Sequence, residues 1–166
     1  MSYLKKRKKV IQLEKPVNIL RDDREKKPWR INSPDFTVSK CRLSVGDYTI
    51  EGFEKTVAIE KKSGLKEFIM NLSGRDRKRF ERELVKLAEF PIKCIVIEDT
   101  LDARLYRLFK TINTRIYPFS VYFWINKIIV QYGIPVLFIG RNPGIRRQMI
   151  IHLFEWVVKE IEYGTK

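Results

Sequence analysis

Residues 45–63 read VGDYTIEGFEKTVAIEKKS. Two short runs within this stretch, 48–50 and 56–59, are rich in β-branched and aromatic residues. They bracket the turn-like Glu51-Gly52-Phe53-Glu54, so the stretch predicts two antiparallel strands. Asp47 opens the first strand and Glu60 lies near the end of the second, with twelve residues between them. A strand pair of that length brings the two carboxylates side by side. Because strand side chains alternate between faces, Glu60 and Lys62 share one side and Lys61 points to the other.

Working outward, strands and helices alternate along the whole chain. Apolar runs at 17–20 and 36–39 predict two strands before the pair. Helices follow at 65–72 and 76–90, the second with Phe80, Leu84, Leu87 and Ala88 at helical spacing and Pro91 as its stop. The β-branched run 92–97 predicts a central strand, and 101–110 an amphipathic helix through Leu101, Leu105, Leu108 and Phe109. Pro118 opens an apolar helix that Gly133 and Pro135 close. A last strand at 136–139 precedes a helix starting at Asn142-Pro143, with Ile145, Met149, Leu153, Trp156 and Val157 as its apolar stripe and Gly164 as its stop. Strands first, then helix–strand–helix units, argue for an α/β sandwich with a mixed sheet, parallel in its second half.

The chain has 166 residues, enough for one domain with a sizeable core. Residues 16–166 are expected to form that single domain and 1–15 a basic flexible tail. Lys and Arg number 34 against 20 Asp and Glu, for a formal net charge of +14. Setting aside the five cations at 5–9, the remainder still carries nine more cations than anions. That field favours a polyanionic partner, with nucleic acid first. Two cysteines, Cys41 and Cys94, are too few for a disulfide framework, and no Cys/His spacing suggests zinc. His152 is the only histidine, which excludes a Ser/His/Asp or Cys/His nucleophilic set beyond that one residue. No apolar stretch has the length of a membrane span, and an intracellular, soluble protein is expected.

Asp47, Glu60 and Lys62 suit phosphodiester hydrolysis. That reaction calls for a hard divalent cation to neutralise phosphate and activate water. Mg²⁺ takes oxygen ligands, one or two of them carboxylates, and Asp47 and Glu60 supply these. The peptide carbonyl between Glu60 and Lys62 can supply a third oxygen, and Lys62 can orient the water or stabilise developing charge.

The three motifs Asp22-Asp23-Arg24-Glu25, Val45-Gly46-Asp47-Tyr48 and Ile59-Glu60-Lys61-Lys62-Ser63 occur in that order. Together they resemble the nuclease core of the XPF-type structure-specific endonucleases, of the PD-(D/E)xK superfamily. Ile95-Val96-Ile97-Glu98 and Tyr132-Gly133-Ile134-Pro135-Val136 extend the likeness, which runs over roughly residues 17–162. The resemblance implies a restriction-endonuclease-like three-layer sandwich, with a mixed central sheet flanked by helices. It implies a Mg²⁺-dependent endodeoxyribonuclease, with Mn²⁺ able to substitute, acting on branched or flap DNA in repair or recombination. It assigns metal binding or its support to Asp22, Asp47 and Glu60, the catalytic lysine position to Lys62, and active-site neighbours to Arg24 and Glu25. Lys61 stands where the family has an arginine, keeping a DNA-contacting charge but not a two-pronged phosphate contact. Lys66 stands where the family has an aspartate. A homodimer through the late helices, or a partner protein that supplies substrate targeting, is also implied. The alternative is a catalytically inactive DNA-binding scaffold with the same fold; retention of Asp47, Glu60 and Lys62 argues against it.

Arg75, Arg79, Arg82 and Lys86 recur at i+3/i+4 spacing on the polar side of the helix at 76–90. They are expected to track DNA phosphates beside the active site. Arg141, Arg146 and Arg147 form a smaller group at the start of the last helix.

Overall fold

The structure, a computed structural model, describes residues 11–74 and 76–164. The elements in chain order are β1 (Val17–Asp22), β2 (Phe36–Cys41), β3 (Tyr48–Ile50), β4 (Val57–Lys62), α1 (Leu65–Asn71), α2 (Asp76–Ala88), β5 (Ile92–Ile97), α3 (Arg104–Phe109), α4 (Pro118–Tyr132), β6 (Val136–Phe138) and α5 (Pro143–Tyr163). The six strands form one sheet in the order β2-β1-β3-β4-β5-β6. β3 runs antiparallel to both β1 and β4, while β4, β5 and β6 are parallel. The parallel pairing of β1 with β2 is an addition to the sequence expectation. It arises because residues 23–35 carry the chain back along the sheet, with Trp29 buried and stacked on Tyr48 at 4.4 Å between ring centroids.

Alternation along the strands fills two cores. On one face Ile19, Tyr48, Ile50, Val57, Ile59 and Val96 pack against Ile150, Phe154, Val157 and Ile161 of α5. On the other, Ala58, Ile95 and Ile97 meet Leu65, Phe68 and Ile69 of α1, Phe80 and Leu84 of α2, and Val121, Trp124 and Ile128 of α4. Helices thus cover both faces, the three-layer sandwich expected. Each large side chain so buried contributes about 1.5–3 kcal/mol relative to exposure. Lys127 and Arg77 both lie over the Trp124 ring, at 4.3 and 5.3 Å, clasping α4 to α2.

Three local readings are corrected. The helix expected from 101 begins at Arg104, because the Asp102 carboxylate accepts the Arg104 N–H at 2.8 Å and ends the preceding turn. β4 continues to Lys62, three residues past the expected end. The stripe on α5 is rotated: Ile150, Phe154, Val157, Val158 and Ile161 are buried, while Ile145, Met149 and Trp156 face outward, Trp156 at 62% exposure. On α4, Val121, Trp124, Ile125 and Ile128 are buried, and Phe119, Phe123 and Val130 are exposed, Val130 at 83%. Of the expected basic tail, residues 1–10 lie outside the described residues. The Ile11 and Leu13 N–H groups donate to Glu162 near the end of α5, at 3.1 and 3.2 Å. No helix among the described residues is long and apolar enough to cross a membrane.

Candidate active site

At one end of the sheet, β1 finishes, β3 begins and β4 finishes, so three elements deliver their polar residues to one place. Asp47 is fixed there through its backbone. Its N–H donates to the Ile59 carbonyl and its own carbonyl accepts the Asp22 N–H, both at 2.8 Å. Gly46 makes this approach possible: its φ is +72°, and a Cβ on it would lie 3.0 Å from the Ile59 oxygen. The Asp47 carboxylate then accepts the Lys61 N–H at 2.7 Å.

Asp47 and Glu60 face one cleft of about 420 Å³, together with Lys62, Asp22, Arg24 and Glu25. Burial, and then the negative charge of Glu60, push the Asp47 carboxyl up to about 7. Lys62 is 5% exposed, with its Nζ 2.7 Å from a Glu60 oxygen and 5.4 Å from the Phe80 ring centroid. Burial works against its ammonium, but Glu60 outweighs that and holds its pKa above the usual lysine value.

Asp22, 2% exposed, is fully engaged within the protein. One carboxylate oxygen accepts from the Arg24 N–H and Nε at 2.8 and 2.7 Å. The other accepts from Arg24 Nη2 and the Leu43 N–H at 2.8 and 2.9 Å. The Arg24 bonds hold its carboxyl down at about 2, against the opposing effect of burial. The structure therefore gives Asp22 the geometry of support, orienting Arg24 at the cleft, and leaves Asp47 and Glu60 as the converging pair. Among the described residues, no group of three or more His, Cys, Asp or Glu side chains is preassembled for a metal. Two carboxylates whose charges raise one another's energy in a half-buried cleft are nonetheless a donor set suited to a hard, oxygen-seeking cation.

Lys61 departs from its expected DNA contact. It is 3% exposed, on the sheet face shared by Val57 and Ile59, and its Nζ lies 3.6 Å from Glu25 Oε1. Strand alternation turns it inward, where it serves as a buried counter-charge for Glu25. Of the expected phosphate-tracking residues, Arg79 lines the cleft but is paired with Asp76 and Glu83, each at 3.5 Å. Arg82 is exposed on α2, and Arg75 lies outside the described residues.

Sequence reasoning gave no site role to Glu67, Asn71 and Glu83, which line the opposite wall. Ser63 N–H and Oγ donate to Glu67 at 2.9 and 2.7 Å, fixing it at the start of α1. Glu83 is raised above the usual glutamate value by burial and then by the charge of Glu60. The position of Glu83 three residues after the buried Phe80 was the available signal, but it locates the cleft only once α2 is known to lie over β4.

A mixed sheet between helical layers, with an Asp and a Glu-x-Lys brought together at one sheet end, defines a nuclease-like α/β domain. The ERCC4 domain model matches residues 21–141, and the chain belongs to the ERCC4 domain family. Its fold is similar to that of XPF from Aeropyrum pernix in complex with DNA, at 21% identity and a TM-score of 0.60, over 86% of this chain and 66% of that one. A second structure of XPF from Aeropyrum pernix gives 21% identity and a TM-score of 0.60, over 84% of this chain and 61% of that one. The chain therefore spans somewhat less than two thirds of the length of either. No curated protein matches it in sequence.

Proposed function

We propose that this protein is a divalent-metal-dependent endonuclease that hydrolyses DNA phosphodiester bonds in the cleft of Asp47, Glu60 and Lys62. The observation that carries this reading is the Asp47 carboxyl. It is held by burial and by Glu60 at about 7, beside an ammonium, in an open cleft. Perturbed groups converging in a cleft mark a reactive site.

Asp47 and Glu60 are the residues that would hold Mg²⁺, or Mn²⁺ in its place. A cation bound there would neutralise the scissile phosphate and lower the pKa of an attacking water. Lys62 adds positive charge where the phosphate oxygens gain negative charge, within a site its own burial keeps from bulk water. Asp22 orients Arg24 along the cleft rim, and the Lys61–Glu25 pair braces the loop that follows β1. Arg79 lines the cleft and Arg82 is exposed on α2, so both can meet the DNA strand, and the sequence spacing assigns Arg75 the same role. The ERCC4 family membership and the XPF fold support DNA as substrate, and the motif resemblance favours branched or flap structures. The exposed apolar residues of α4 and α5 support pairing of two copies, and a targeting partner is the other source of substrate selection.

The test incubates the protein with flap, splayed-arm and duplex DNA, with EDTA, Mg²⁺ or Mn²⁺, beside Asp47→Ala. Metal-dependent internal cuts that the substitution abolishes, with DNA binding retained, are the expected result. DNA binding with no cleavage under either metal would instead identify a scaffold.

A further inference from the structure

The same sheet end carries a second concavity on the α5 side, of about 530 Å³. Lys27, Arg30, Arg146 and Arg147 line it, together with Trp29 and Glu98. Glu98 is its one carboxylate, and both of its oxygens are committed. Oε1 accepts the Trp29 indole N–H at 2.8 Å, and Oε2 pairs with Arg146 at 3.2 Å. Lys27, Arg30 and Arg147 are exposed around the rim. The N–H groups of Gly144 and Ile145 at the start of α5 are taken by the Asn142 side chain, at 2.9 and 3.1 Å. The positive character of the pocket therefore comes from side chains delivered by two distant segments.

On α2, Arg77 and Arg79 are answered by Glu81, Asp76 and Glu83 on the same helix. In the concavity four cations share a single lining acid, Glu98, which pairs with Arg146. The pocket is also next to the cleft. Glu25 lines the cleft and Lys27 lines the pocket. Two residues span at most about 7 Å, roughly two steps along one DNA strand at about 3.4 Å of rise each. The two concavities therefore meet within about 7 Å at residues 25–27, close enough for one DNA strand to touch both.

We propose that the pocket of Lys27, Arg30, Arg146 and Arg147 anchors a DNA backbone phosphate a few nucleotides from the bond to be cut, setting the register of the strand in the cleft. The inference rests on the nuclease reading for the meaning of that register, but phosphate binding by the pocket stands independently of catalysis. Arginine suits the role, since its planar fork matches phosphate oxygens in pairs. Such a contact carries no sequence information and positions the duplex.

The experiment measures binding of a fluorescent flap DNA in EDTA over a salt series, for wild type and Arg30→Ala/Arg147→Ala, with R30E/R147E as a second variant. Both residues are exposed, and melting curves check that the variants fold. Loss of this phosphate contact should make the slope of log affinity against log salt shallower by about 1, equally for two unrelated sequences. Charge reversal should weaken binding further. An unchanged slope and affinity, with wild-type cleavage intact, overturns the pocket and leaves the nuclease reading standing. A shallower slope in a protein that cuts nothing under any metal supports the pocket and overturns the nuclease reading.

Discussion

Asp47 sits where a carboxylate is costly. Unfolded, its carboxyl titrates near 3.9; folded, it is pushed up to about 7 by burial and by Glu60. Between those values the folded state keeps a proton that the unfolded state has lost. The stability linked to that proton is complete below about pH 3.9 and is lost as pH rises through about 7. In EDTA, Asp47→Asn should therefore melt several degrees above wild type at about pH 8, with the gap closing towards about pH 5. Mg²⁺ should raise the wild-type melting temperature at about pH 8 and leave the variant unmoved. Equal melting curves at both pH values would remove the basis for treating Asp47 as a strained ligand. Asp22 has the opposite sign. Arg24 depresses its carboxyl to about 2, so its contribution is present above about pH 3.9 and is lost as pH falls through about 2.

At the scale of elements, β3 and β4 make the site and one glycine lets them. Gly46 combines a left-handed backbone with a close approach to Ile59. Gly46→Ala should cost at least about 1–2 kcal/mol from the backbone conformation alone, lowering the melting temperature by about 5 °C. It should also displace Asp47 and reduce metal-dependent cleavage. A variant with wild-type stability and activity would show that the β3–β4 contact tolerates a Cβ. The strand pair itself was legible, because its alternation, turn and motif residues are local. Glu60 and Lys62 on one face, and Lys61 on the other, follow from that alternation alone. The buried side of α5 was not legible. The helix carries apolar residues around most of its circumference, and only contact with the sheet chooses Phe154 over Trp156.

The whole molecule leaves apolar surface uncovered on α4, where Phe119 and Phe123 stand exposed beside Val130. Contiguous patches of this kind mark association surfaces. Sedimentation equilibrium should show a concentration-dependent dimer that Phe119→Ser/Phe123→Ser dissociates; a monomer at all concentrations would reject self-association through these helices. By itself the sequence determined the polarity of the chain, the order of its strands and helices, and the residue types able to hold a cation and a phosphate. Those depend on composition and on neighbours within a few positions. The tertiary structure alone decided that Asp22 is bound to Arg24, that Lys61 is buried against Glu25, and that Glu67 and Glu83 face the cleft. It also drew Lys27 and Arg30 to Arg146 and Arg147. The physical reason is that charge pairing and burial act between residues far apart in sequence, and such distances are set only when the sheet and its two helical layers close on one another.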